Sequence, residues 1–104
     1  MEQTLPLPVV RYLAAVRPGQ IAECFTEDAV VVDERKTRRG RAEIRQWREE
    51  AAKIDYRQDI LSVGHDGERA LVRCRLTGDF PGSPVELDYR LELAGDHVAR
   101  LEIA

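Results

Sequence analysis

From Arg69 to the C-terminus, apolar residues alternate with polar ones, the two-residue period of strands that bury one face. In VELDYRLEL, Val85, Leu87, Tyr89, Leu91 and Leu93 point one way, and Glu86, Asp88, Arg90 and Glu92 point the other. The segment ALVRCRL likewise separates Ala70, Val72, Cys74 and Leu76 from Leu71, Arg73 and Arg75. Turn signals at Asp66-Gly67, in FPGSP and at Gly95-Asp96 divide this half into strands near Tyr56–Val63, Arg69–Gly78, Val85–Leu93 and His97–Ile103. One face of the resulting sheet is apolar; the other carries opposite charges able to pair across strands.

The first half of the chain has a helical period instead. Pro6 and Pro8 suit a first helical turn, which needs no backbone donors, and Val9, Tyr12, Leu13 and Val16 then follow at i, i+3, i+4 and i+7. Pro18-Gly19 is expected to end this helix. A very short second helix from Gln20 to about Phe25 puts Ile21 and Phe25 on one side. The β-branched run Ala29–Asp33 reads as a strand, and KTRRG as a turn or short return. A third helix over RAEIRQWREEAAK carries an apolar stripe of Ile44, Trp47 and Ala51, with Arg45/Glu49 and Glu49/Lys53 pairs on its wet side. Helices gathered at the N-terminal end must cover one face of an antiparallel sheet, which defines an α+β domain.

Composition narrows the classes. The 104 residues, 43% hydrophobic and 34% charged, fit one compact domain over residues 1–104. A net charge of −3 argues against a surface built for nucleic acid. Five basic residues do crowd into Arg35–Arg41, but no aromatic is interleaved and Glu34 and Glu43 flank them, so a solvated loop is the expectation. Cys24 and Cys74 lack metal or redox spacing and read as small buried residues in a reducing, cytoplasmic compartment. No apolar run approaches a membrane span, and no clustered ligand set calls for a metal; no cofactor is expected.

The order of two helices, a short strand, a third helix and a long meander resembles the nuclear transport factor 2-like superfamily, closest to its SnoaL-like and ketosteroid isomerase-like branches. The resemblance rests on Tyr12 seven residues before Gly19, FTEDAVVVD, RGRAEIRQWREE, LTGDFPGSPVELDYRLEL and DHVARLEI, and spans nearly the whole chain. It implies a cystatin-like α+β roll: a cone-shaped, strongly curved antiparallel sheet wrapped around three helices, with an apolar pocket between them. It also implies a homodimer formed through the outer sheet face.

Within that resemblance Asp33 corresponds to the general base of the isomerase branch, and Tyr12 to the tyrosine that donates a hydrogen bond to the substrate oxyanion. Asp33 follows Val31 by two residues and shares its side. The second oxyanion-hole acid of that branch has no counterpart: Leu91 or another inward apolar residue takes its place, while Glu86, Asp88 and Glu92 fall on the opposite face. His65 belongs to a turn; His97 shares parity with Ala99, Leu101 and Ile103 and is expected near the rim of the cone. Trp47, Tyr56, Tyr89, Cys74, Leu91 and His97 complete the expected ligand-binding set.

Two function classes follow. One is an isomerase- or cyclase-type enzyme acting on a small apolar carbonyl compound, with Asp33 as base and Tyr12 as donor. The other is a binding or interaction domain that keeps the cone without catalysis.

Overall fold

The computed structural model describes residues 5–104. Helix α1 (Leu7–Ala14) buries Val9 and Tyr12 as its periodicity requires. It stops earlier than expected because Ala15 turns extended, which leaves Val16 81% exposed instead of on the buried stripe. Pro18 opens α2 (Pro18–Glu23) rather than closing α1, since proline's fixed φ suits a first helical residue. Gln20 Oε1 accepts from the Arg17 amide at that helix start. Phe25 belongs not to α2 but to β1 (Phe25–Asp33), where it is fully buried.

β1 turns back into β2 (Lys36–Arg39) through Glu34 and Arg35, both with positive φ, 53° and 67°. Helix α3 (Gly40–Ala51) follows, its first amides steadied by Glu43, which accepts from the Arg39 amide at 2.9 Å. Because α3 ends at Ala51, Lys53 lies in a turn; the Arg45–Glu49 pair forms at 3.8 Å, and a Glu49–Lys53 pair does not. The basic run is partly structural: Arg41 Nε donates to the Phe25 carbonyl and Arg38 pairs with Glu50.

Four strands complete the chain: β3 (Tyr56–Asp66), β4 (Arg69–Gly78), β5 (Val85–Ala94) and β6 (His97–Ile103). The sheet has the order β2-β1-β6-β5-β4-β3. It is mixed rather than wholly antiparallel: β1 runs parallel to β6, while every other neighbouring pair is antiparallel. A partner so distant in sequence leaves no turn signal between the two strands, so local pattern could not give the direction.

Two bulges bend the meander. Leu61 is skipped between the Ile60–Cys74 and Ser62–Arg73 pairs, and Ala99 between Glu92–Arg100 and Leu93–Val98. The second bulge inverts the parity of β6. Val98, not His97, joins Leu101 and Ile103 on the inner face, and His97 pairs with exposed Ala94.

The concave face holds the core. Phe25, Ile44, Val72, Leu91, Val98 and Leu101 are fully shut off from solvent, and the Tyr12 ring meets Phe25 edge-on at 5.7 Å. Cys24 and Cys74 are buried and unbridged. On the outer face the charges pair across strands: Arg73–Asp88, Arg75–Glu86, Arg90–Glu102 and Arg100–Glu92, at 2.9 to 3.8 Å. Among the described residues no helix is long and apolar enough to cross a membrane.

Candidate functional site

The cone is not filled. A cavity of about 410 Å³ lies between α3 and the inner face of the sheet, lined by Asp33, Trp47, Arg48, Tyr56 and Tyr89. Ile54, Leu76, Phe80, Leu87 and Ile103 give it an apolar wall. The inward positions of β4, β5 and β6 supply Leu76, Val85, Leu87, Tyr89 and Ile103 to this surface, so the same alternation that builds the core also builds part of the chamber.

Asp33 enters it by strand parity. Ala29 and Val31 are fully buried, and Asp33, the next residue on that side, closes β1 where the helix cover ends. Its Oδ2 accepts a 3.0 Å hydrogen bond from Trp47 Nε1. Among the described residues that is the carboxylate's only side-chain partner, and no cation pairs with it. The neighbouring basic residues are engaged elsewhere or turned outward with the hairpin.

Arg48 was not singled out by its sequence context, yet it lines the cavity too. The signal was present: Ile44, Trp47, Arg48 and Ala51 stand at i, i+3, i+4 and i+7, so Arg48 occupies the fourth place of the α3 stripe. Its Nη2 donates to the Tyr56 hydroxyl at 3.3 Å, and its Cζ lies 5.1 Å from the Trp47 ring centroid. Nε is buried without a hydrogen-bond partner. Burial works against the charge on Arg48, but the surrounding Tyr12, Tyr56 and Tyr89 favour it and hold its pKa above the ordinary value.

The expected site residues divide into two groups. Asp33, Trp47, Tyr56 and Tyr89 meet at one cavity. Tyr12 lies one layer behind, beside a separate void of about 30 Å³ that it shares with Arg48, Gln58 and Tyr89. That void has room for about one water molecule. Burial pushes the hydroxyls of Tyr12 and Tyr89 well above the ordinary tyrosine range, so both remain protonated donors. Cys74 is fully buried and receives the Gln58 amide at 3.2 Å. Leu91 is packed in the core between Ala70 and Leu101, and His97 sits at the start of β6 away from the chamber.

A larger concavity, about 530 Å³, lies on the outer face beside Leu71, Arg69, Arg90 and Arg100. Four of its charged side chains, Arg90, Glu92, Arg100 and Glu102, are already paired across strands, whereas the inner cavity joins an apolar wall to a few converging polar groups, the usual build of a ligand site.

A curved sheet cupping three helices around an inner chamber defines the nuclear transport factor 2-like class of α+β folds. The chain belongs to the SnoaL-like domain family, which it matches over residues 9–101. It is similar to a candidate polyketide cyclase of Sinorhizobium meliloti, with 38% identity, TM-score 0.88, and 96% of this chain and 95% of that one covered. A protein of Catenulispora acidiphila with a ketosteroid isomerase-like fold, solved with trimethylamine, shares 20% identity over 97% of this chain and 86% of its own, at TM-score 0.82. A nuclear transport factor 2-like protein of Cytophaga hutchinsonii shares 10% identity over 100% of this chain and 93% of its own, at TM-score 0.74. No curated protein matches the sequence.

Proposed function

We propose that the protein binds a small apolar carbonyl compound in the inner cavity and removes a proton from the carbon beside the carbonyl. Asp33 is the base in this isomerase- or cyclase-type step. The observation that carries the reading is an unpaired carboxylate on an otherwise largely apolar wall, aimed by the Trp47 indole. The C–H proton passes to an Asp33 oxygen and its electron pair moves into the carbonyl, so negative charge develops on the carbonyl oxygen. Tyr56 and Arg48 line the same chamber and supply donors for that charge. Tyr12 supports them from behind through the wall formed by Arg48 and Tyr89. The similarity to the candidate polyketide cyclase agrees with carbonyl chemistry.

The test is hydrogen exchange of acetonaphthone in heavy water, followed by NMR, with wild type and Asp33→Asn. The nearly isosteric variant keeps the fold and binds the ketone within about threefold, while enzyme-accelerated exchange at the methyl carbon disappears. A destabilised variant with unchanged binding and unchanged exchange retires Asp33 as the base. The passive binding reading then stands, favoured by one further observation: Leu91 occupies the core and no histidine lines the cavity.

The second part of the proposal is a homodimer through the outer sheet face. The face's charges are already paired within the chain, and exposed ion pairs contribute only about 0–1 kcal/mol each. The contact therefore depends on Leu71, 45% exposed near the start of β4, and on the aliphatic stems around it. Light scattering at micromolar concentration should give twice the chain mass, and Leu71→Asp should give the monomer. A wild-type monomer removes this part.

A further inference from the structure

Arg48 is half-buried in the cavity wall with one buried polar atom left without a partner. A guanidinium has five N–H donors, and among the described residues only one bond uses them, from Nη2 to the Tyr56 hydroxyl. Nε is sealed from solvent with no acceptor. Among the described residues no carboxylate pairs with it: Asp33 takes its hydrogen bond from Trp47, and Glu50 pairs with Arg38. Burial raises Tyr12 and Tyr89, so both stay neutral at ordinary pH. They orient the cation without neutralising it. A half-buried charge without a counter-ion is costly, and its place in a cavity wall leaves the position of the counter-ion open among the described residues.

Asp33 and Arg48 both reach the Trp47 indole: Oδ2 of Asp33 accepts from Nε1 at 3.0 Å, and the Arg48 Cζ lies 5.1 Å from the ring centroid. Asp33 ends β1, near one edge of the sheet, whereas Arg48 leans to Tyr56 on β3, the strand at the other edge. No ion pair joins them. The cavity therefore combines a carboxylate and a guanidinium that are not paired with each other with a largely apolar wall.

We infer that the ligand of this cavity is an apolar molecule bearing a carboxylate, and that Arg48 binds this group while the apolar body lies along the wall toward Asp33. This rests on the reading of the chamber as a ligand site and adds the ligand's charge. A guanidinium fork matches the two oxygens of a carboxylate, and stacking near the Trp47 ring fixes its plane. The Tyr56 hydroxyl, already held by Nη2, offers its own proton to the same anion.

The experiment compares naphthoate with acetonaphthone, which have the same ring system with and without the charge, by calorimetric titration at neutral pH. Wild type should bind naphthoate at least about tenfold more tightly than the ketone, as a charge-assisted pair requires. Arg48→Gln should weaken naphthoate binding by at least about tenfold more than it weakens acetonaphthone binding, so that the preference is lost. Arg48→Lys, which keeps the charge without the fork, should recover part of it. Equal wild-type affinity for both compounds overturns the inference and leaves the carbonyl-site proposal standing. An equal loss of both ligands in Arg48→Gln also overturns it. Binding of neither compound by wild type removes both. Should Arg48→Gln not fold, the wild-type preference and Arg48→Lys decide the matter.

Discussion

The indole Nε1 of Trp47 donates to Oδ2 of Asp33 at 3.0 Å, so a side chain from α3 aims the carboxylate that ends β1. The bond also links a helix face to a strand end, and so joins orientation of the proposed base to stability. Trp47→Phe keeps an aromatic ring in the wall and deletes the donor. A hydrogen bond to a charged group contributes about 1.5–3 kcal/mol, and a loss near the lower value is expected in urea denaturation. Exchange of acetonaphthone should slow in the same variant. In a double-mutant cycle with Asp33→Asn the two stability effects should fall short of their sum; additive losses would show that the bond contributes nothing to folding.

The hairpin after Asp33 carries strain. Two-residue hairpin turns with positive φ at both positions favour Asn-Gly, yet here they are Glu34 and Arg35, at 53° and 67°. A side chain in that region costs about 1–2 kcal/mol. Replacing the pair as Glu34→Asn with Arg35→Gly should raise stability by about 1 kcal/mol or more and the melting temperature by several degrees. An unchanged or lower melting temperature would mean that the hairpin is relaxed with its native residues.

Gly78 is required by close approach rather than by φ. A Cβ there would lie 2.6 Å from the Cα of Tyr56, its partner across β3 and β4. The clash is with backbone, which cannot rotate away. Gly78→Ala should destabilise by about 1–3 kcal/mol and, because Tyr56 borders the cavity, weaken ketone binding as well. Normal stability and binding would show that the two strands part there at little cost.

Alkaline pH should weaken the fold in a defined order. Burial raises the thiols of Cys24 and Cys74 and the hydroxyls of Tyr12 and Tyr89 above their unfolded values. A raised folded pKa means that the unfolded chain gives up its proton first. The stabilising contribution is thus complete below the unfolded pKa and declines as pH rises above it. Denaturation midpoints should hold steady to about pH 8.5, fall slightly as the thiols ionise, and fall more steeply above about pH 10. Tyr12→Phe should flatten the steeper part; an identical slope in that variant would show that Tyr12 is not responsible.

The elements whose signals are local were legible without coordinates. β4 and β6 occur as read from alternation and turn residues, and β5 extends one residue further. Ile44 and Trp47 are buried on α3 as the stripe requires. Local chemistry misled where one residue type serves two ends: Pro18 opens a helix as readily as it closes one, and a β-branched run does not show that its strand begins at Phe25. His97 shows a different failure. Parity places it inward, but the bulge at Ala99 shifts the count by one, and a bulge leaves no mark in a run such as HVARLEI.

For the site, the sequence by itself determined that Asp33 shares a side with Val31 and that Tyr89 lies on the apolar face of β5, because both follow from the fixed alternation of side chains along a strand. Only the tertiary structure decided which of the candidates meet. The parallel pairing of β1 with β6 brings Asp33 beside Ile103, and the curvature of the sheet brings Tyr56 within reach of α3. Packing likewise separated Tyr12 from that chamber and made Arg48 a half-buried charge in its wall. Periodicity fixes the direction of a side chain relative to its own element; the group it faces depends on pairings between residues far apart in the chain, which no local pattern encodes.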